Sequence, residues 1–248
     1  MPTPNVLILR APGTNCDQET AYAFQQAGAN TEVLHLNRLL ENPALFQKFQ
    51  ILCIPGGFSY GDDIAAGRIF GNQMLHHLNE ELARFKADGK LMLGICNGFQ
   101  VLLKSPVLLE SDDNGAPATL TLNDCGRYQD NWARLEVQGA KSVFLAGIQA
   151  MYLPFAHAEG KFVARDQATL QQLEAAGQLV LRYANGDNPN GSMADVAGVC
   201  DSTGRVLGLM PHPERHIDPT QHPRWTRGEA GPVGDGLQMF VNAVGYFN

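Results

Sequence analysis

The sequence predicts an α/β protein built on a single open, mostly parallel sheet with helices on both faces and some antiparallel strands in its second half. Short apolar runs alternate with amphipathic stretches through the first half, the order that a parallel sheet with crossover helices requires. The second half carries more strand-like runs, separated by Asn, Asp, Gly and Pro clusters that suit antiparallel pairing. The chain has 248 residues, 44% of them hydrophobic and 17% charged, enough for one α/β core. Residues 1–248 are expected to form one domain, because no linker, repeat or low-complexity tract divides them.

In chain order, residues 6–9, 33–36, 51–54 and 91–95 are apolar runs of strand length and predict four buried strands. Between them, residues 17–27 predict a helix with acids in its first turn and Gly28 at its end. Residues 73–87 predict another, with Leu75, Leu78, Leu82 and Phe85 at helical intervals before Gly89. Further strands are expected at 118–122, 132–137, 194–200 and 206–209, with polar loops at 111–117 and 183–192. Residues 236–247 predict a last short helix packed back on the sheet.

A formal net charge of −7 opposes general attraction to nucleic acid or acidic lipid, so small molecules and proteins are the expected partners. The first apolar run is short and followed at once by Arg10, which fits neither a signal peptide nor a membrane span; the expected location is the cytoplasm. Five cysteines (Cys16, Cys53, Cys96, Cys125, Cys200), odd in number and without a C-x-x-C pair, read as reduced thiols rather than a disulfide framework or zinc site. The other histidines show no metal-ligand spacing, and no metal is expected.

One cysteine stands apart. The run 91–95 leads into Gly94-Ile95-Cys96-Asn97-Gly98 and then a helix-like apolar stretch, a G-x-C-x-G elbow in which small residues two positions either side allow the tight turn. A thiol presented at a helix N-terminus favours its thiolate. A thiolate nucleophile also needs a proton carrier and donors for the oxyanion formed when it attacks a carbonyl. His212 lies between two prolines in Pro211-His212-Pro213-Glu214, after the strand at 206–209. In an extended chain residues two apart share a side, so Glu214 is expected beside the imidazole, fixing its tautomer. Residues 54–58, Ile-Pro-Gly-Gly-Phe, end a strand with two glycines, and the amides of Gly57 and Asn97 are the candidate oxyanion donors.

Competing readings remain at this level. Gly57-Phe58-Ser59-Tyr60-Gly61 matches a serine elbow formally, which would make the protein a serine hydrolase using Ser59; the following GDDIAAG stretch opens with Gly and two acids where a packed helix should start. Cys16, just before a helix, is a rival nucleophile with no strand ending beneath it. His157, two residues before Glu159, looks like a second copy of the His212–Glu214 arrangement. A non-catalytic regulatory subunit of the same fold is the alternative from outside the enzymes.

These segments resemble the class I glutamine amidotransferases, whose flavodoxin-like fold is the one expected above, through PGG at 55–57, GICNGFQ at 94–100 and PHPE at 211–214. Within that class the chain is more similar to the glutaminase subunits of phosphoribosylformylglycinamidine synthase, through APGTNCDQET (11–20), IPGGFSYGDD (54–63), NDCGRYQDNW (123–132), PFAHAEG (154–160), NPNGS (188–192) and GRVLGLMPHPER (204–215). The resemblance implies that Cys96 forms a glutamyl thioester, that His212 transfers protons and that Glu214 orients it. It implies L-glutamine as substrate, contacted by Gly56, Gly57, Phe58 and Gln100. It further implies ammonia delivery to a synthetase subunit that makes formylglycinamidine ribonucleotide in purine biosynthesis, with a small accessory subunit. The sequence has no G-x-x-x-x-G-K-[ST], so no cofactor is expected on this chain, and ATP and Mg would belong to the synthetase. Residues 63–67 (DIAAG) and Ala158 depart from the family pattern, and 222–240 look more like the end of the glutaminase domain in fused, large-type synthases.

Overall fold

A computed structural model describes residues 3–184 and 186–247. The four strands expected in the first half are present as β1 (Asn5–Arg10), β2 (Asn30–His35), β3 (Ile51–Ile54) and β4 (Leu91–Ile95). They pair in parallel, with β1 between β2 and β3 and β4 beyond β3. β3 and β4 are buried along their whole length because layers cover both faces of the sheet. β2 begins earlier than expected: it is an edge strand whose first residues, Asn30, Thr31 and Glu32, are polar, so an apolar run marks only its end.

The helix α1 (Asp17–Gln26) lies where expected, with Asp17 and Glu19 in its first turn. A short α2 (Leu36–Glu41) adds to the expected elements; His35 Nδ1 accepts from the Asn37 amide at its start. The single helix expected at 73–87 is two helices, α3 (Arg68–His77) and α4 (Asn79–Ala87). They are separated by Leu78 at φ −129°, ψ 11°. Backbone hydrogen bonds run from Leu78 to Met74 and from Leu82 to Leu78. The apolar spacing therefore carries across the bend and hides it from a periodicity argument.

After α5 (Asn97–Leu102), β5 (Ala118–Thr121) leaves the main sheet and pairs antiparallel with β8 (Lys161–Ala164). Between them run β6 (Gln129–Val137) and β7 (Ala150–His157). Then come α6 (Gln167–Ala175), capped by Asp166, β9 (Leu181–Tyr183), β10 (Val196–Cys200), β11 (Val206–Leu209) and the final helix α7 (Leu237–Gly245). Residues 193–195 form a 3₁₀ turn, so the strand expected from residue 194 starts only at Val196. The main sheet has the order β2-β1-β3-β4-β11-β10-β9-β6-β7 among the described residues. It is parallel from β2 through β11 and antiparallel beyond.

This topology dictates where a site can form. Strand order reverses at β1, and the loops after β1 and β3 meet in an isolated antiparallel bridge between Thr14 and Gly57. β11 lies parallel to β4, so the chain leaving each emerges at the same edge, where the Cys96 amide donates to Leu209 O at 2.8 Å. Between β4 and α5 the backbone of Cys96 takes φ 50° and ψ −105°. The flanking glycines permit it: a Cβ on Gly94 would lie 2.6 Å from Gly98 O, and one on Gly98 would lie 1.8 Å from Ile54 O. Gly98→Ala must force α5 away from β3 and should cost about 3 kcal/mol of unfolding free energy in urea titration, whereas a loss under about 1 kcal/mol would contradict this packing.

Candidate active site

The side chains at this sheet edge come from four strand ends. Cys96 sits on the elbow after β4, buried, with its Sγ 3.7 Å from the carbonyl of Ala156. His212 follows β11, and its amide donates to Pro154 O in β7 at 2.8 Å. Glu214 stands in a 3₁₀ turn, Pro213–Arg215, rather than in the extended chain expected around the two prolines. The turn still brings the carboxylate to the ring: His212 Nδ1 donates to Glu214 Oε1 at 2.6 Å, both groups buried. That bond assigns the proton to Nδ1 and leaves Nε2, which is buried without a well-aligned partner, among the Cys96 and Cys16 thiols.

The electrostatics of the imidazole are a contest. Burial alone would push it down, but the Glu214 carboxylate and negative charge on Cys96 outweigh burial and hold it well above its usual range. A proton therefore rests on this ring at neutral pH. Cys16 caps α1 and lies against the same imidazole; burial pushes its thiol up. It donates to Asn15 Oδ1 at 3.2 Å and accepts from the Arg215 guanidinium at 3.0 Å, while Arg215 also pairs with Glu19 at 2.6 Å. Spacing could not bring Cys16 and His212 together, because a loop crossing at the strand-order reversal does it. Cys16, His212 and Glu214 place three metal-ligand atoms within 4.8 Å of one another. Within this set Nδ1 of His212 is bonded to Glu214 and the Cys16 thiol to the Arg215 guanidinium.

Gly57 and Asn97 flank the elbow. Gly57 has φ +145°, and a Cβ there would lie 2.8 Å from the backbone of Thr14 and Asn15. The bridge hydrogen bond runs from the Phe58 amide to Gly13 O, so Gly57 is not the donor in it. Asn97 is locked by its side chain, which accepts from the Ser59 amide and donates to Gln100 Oε1 and Asp62 Oδ1. Gln100 in turn donates to Glu159 O at 2.6 Å. Two cavities meet at Cys96. One of about 230 Å³ is lined by Gly57, Phe58, Asp62, Gln100, His157 and Glu159, among others. A smaller one of about 50 Å³ lies toward Cys16, Tyr128, His212 and Arg215. Gly56 packs against the imidazole, where its missing Cβ would sit 2.7 Å from His212 Cε1.

The rival residues take other places. Ser59 opens a 3₁₀ turn (Ser59–Asp62), not a strand-to-helix elbow, and its buried Oγ has no hydrogen-bond partner among the described residues, so no base is coupled to it. His157 does not pair with Glu159: its Nδ1 donates to Asn123 Oδ1 at 3.1 Å, and Glu159 accepts from the Ala66 amide. Burial and the nearby His212 push the His157 ring down to about 4, leaving it neutral. No helix among the described residues is long and apolar enough to cross a membrane.

Comparison with known proteins identifies the family. The model of the CobB/CobQ-like glutamine amidotransferase domain matches residues 3–247. The chain belongs to this glutamine amidotransferase family. Among curated relatives, a phosphoribosylformylglycinamidine synthase subunit PurQ from Dehalococcoides mccartyi is 44% identical, over 96% of this chain and 95% of its own. A PurQ subunit from Methanococcus maripaludis is 40% identical over 99% and 98%. Among solved structures, a chain from PurLQS of Thermotoga maritima superposes with a TM-score of 0.78 at 28% identity over the whole of both chains. A glutamine amidotransferase from the same organism, 16% identical over 92% of this chain and 83% of its own, shares the fold with a TM-score of 0.56. The family relationship places this chain in the PurQ group of class I glutamine amidotransferases, with relatives of matching length.

The buried neutral His157 makes a checkable demand on stability. An unfolded histidine takes up a proton below about 6.5, whereas the folded ring resists until about 4. The folded state is therefore progressively disfavoured as pH falls through that window. The melting-temperature gap between the native chain and His157→Asn should narrow from pH 7 to pH 4; a constant gap would contradict the assignment.

Proposed function

We propose that this chain is the glutaminase component of phosphoribosylformylglycinamidine synthase. Glutamine lies in the larger cavity with its side-chain amide at Cys96. The thiolate attacks the amide carbon, and the N–H groups of Gly57 and Asn97 receive the oxyanion. The C–N bond then breaks, the leaving nitrogen takes the proton held on His212, and a glutamyl thioester remains on Cys96. Water, deprotonated by the now neutral imidazole, attacks the thioester; a second tetrahedral intermediate expels the thiolate and releases glutamate. Glu214 holds the ring's tautomer and steadies the imidazolium in both halves. Gly56 keeps the imidazole close by its lack of a side chain, while Phe58 and Gln100 shape the pocket.

One observation carries this reading: a thiol on a positive-φ elbow after β4, beside an imidazole bonded at 2.6 Å to a buried carboxylate after the neighbouring β11. The ammonia passes to a synthetase subunit, which binds ATP and Mg and converts formylglycinamide ribonucleotide to its amidine in purine biosynthesis. The PurQ names of the full-length relatives and the PurLQS assembly of a structural neighbour support that partner. A small accessory subunit is the third component that this reading expects. Cys96→Ala should lower glutamine-dependent synthesis by the reconstituted complex more than about 1000-fold while ammonia-dependent synthesis stays within about twofold of the native complex. Retained glutamine use would overturn the proposal, and loss of both activities would place Cys96 in the structure of the complex instead.

A further inference from the structure

Residues 12–16 follow β1 and lie backbone to backbone against the glycine-pair loop after β3. Three hydrogen bonds join the two loops: the Phe58 amide donates to Gly13 O at 2.9 Å, the Tyr60 amide to Pro12 O at 2.7 Å, and the Cys16 amide to Gly56 O at 3.2 Å. The crossing leaves no room for side chains. A Cβ on Gly13, which has φ +86°, would lie 2.1 Å from Phe58 O, and one on Gly57 would lie 2.8 Å from Thr14 Cα. Both positions therefore demand glycine. Thr14 tightens its loop from within: its Oγ1 accepts from the Ala11 amide and its own amide donates to Ala11 O, both at 3.1 Å.

This pairing leaves one amide over. Thr14 and Gly57 are the directly opposed residues of the antiparallel bridge, and the bonds run through their neighbours, so the Gly57 N–H points away from residues 12–16. The peptide between Gly56 and Gly57 is trans; with its carbonyl turned to the Cys16 amide, its N–H faces the opposite side. Two residues on, the Ser59 amide shows what lies there: it donates to Oδ1 of Asn97, next to Cys96. Phe58 and Tyr60 thus bond to residues 12–16 while Ser59 bonds to the elbow, and no backbone acceptor among the described residues takes the Gly57 amide. Gly57 and Cys96 together border both cavities of the site.

We infer that residues 12–16 act as a latch that holds the peptide between Gly56 and Gly57 with its N–H toward the thiol, making Gly13 and Thr14 positioning residues for the oxyanion donor; this rests on the glutaminase reading. An unlatched glycine pair is free to turn that peptide over, because glycine tolerates both senses of φ. A turned peptide presents a carbonyl, not a donor, to the developing negative charge. The latch removes that freedom without touching the substrate. Its role also accounts for the glycine and threonine of a motif that supplies neither the nucleophile nor its base.

Glutamine hydrolysis by the assembled complex, set beside alkylation of the Cys96 peptide by iodoacetamide, isolates the donor, because displacement at a saturated carbon forms no oxyanion. Gly13→Ala should lower kcat about 100-fold, the size of a lost oxyanion donor, with KM and the alkylation rate within about twofold of native. Thr14→Val keeps the side chain's shape and removes only the loop's internal bond. It should lower kcat about tenfold with KM and alkylation again unchanged, and it decides the matter if Gly13→Ala does not fold. An unchanged kcat in either folded variant, or a fall in alkylation parallel to that in kcat, would overturn the latch and leave the glutaminase reading of an active native complex intact. A native complex that is alkylated at Cys96 yet never hydrolyses glutamine would remove the glutaminase reading, and the positioning role with it.

Discussion

The backbone turn at Cys96 is the constraint on which the rest of the site depends. A non-glycine residue at φ 50° and ψ −105° lies in a sparsely populated region and costs roughly 1–3 kcal/mol, so it persists only where neighbours over-determine it. Here they do. The Cys96 amide is tied to Leu209 O on β11, its carbonyl accepts from the Phe99 and Gln100 amides, and Gly98 packs directly on Ile54 O of β3. The buried Phe99 ring then fills the place where a Cβ on Gly208 would stand, 2.2 Å from its edge. β3, β4, β11 and α5 thus form one packed unit, and the position of the thiol at the sheet edge is its consequence.

From that unit the two halves of the sheet acquire different jobs. The parallel half brings the loops after β1, β3 and β4 to one edge and so supplies Cys16, the glycine pair and Cys96. The antiparallel half returns β11 beside β4 and sends the chain on to His212, whose amide is then anchored to Pro154 of β7. A buried ion pair of His212 and Glu214 is a poor source of stability, because desolvation opposes the attraction. Its consequence is a ring held above its usual range, with Nδ1 bonded to the carboxylate and Nε2 placed among the Cys96 and Cys16 thiols. The same cavity system keeps His157, a second buried histidine with no carboxylate against it, in the neutral form. The two imidazoles are thereby pushed in opposite directions: Glu214 and the Cys96 and Cys16 side chains raise His212, while burial and the charge of His212 lower His157.

Much of this is legible in the sequence, and for identifiable reasons. The strands β1, β3, β4 and β11 are apolar because both faces are covered, so composition alone marks them. The elbow is legible because its glycines are required by contacts under 3 Å, which leave no freedom of residue type. The proximity of Glu214 to His212 follows from the spacing, but by a different route from extended geometry: a proline-started 3₁₀ turn achieves it. The helical bend at Leu78 is hidden because the apolar phase survives it, and the start of β2 is hidden because an edge strand carries polar residues. Cys16 beside His212, and His157 bonded to Asn123 rather than Glu159, depend on which loops cross, and no local pattern encodes that. Membership of the glutamine amidotransferase family is carried by motifs spread over most of the chain, which a single elbow could not supply.

The proposed chemistry turns on a covalent bond at one sulfur atom, so the direct measurement is intact-mass and peptide analysis of the assembled enzyme acid-quenched during glutamine turnover. A glutamyl adduct on the peptide carrying Cys96, discharged by hydroxylamine and absent when glutamine is withheld, is the expected result. An adduct on Cys16 or Ser59 instead, or steady turnover with no adduct on Cys96 at any quench time, would contradict it.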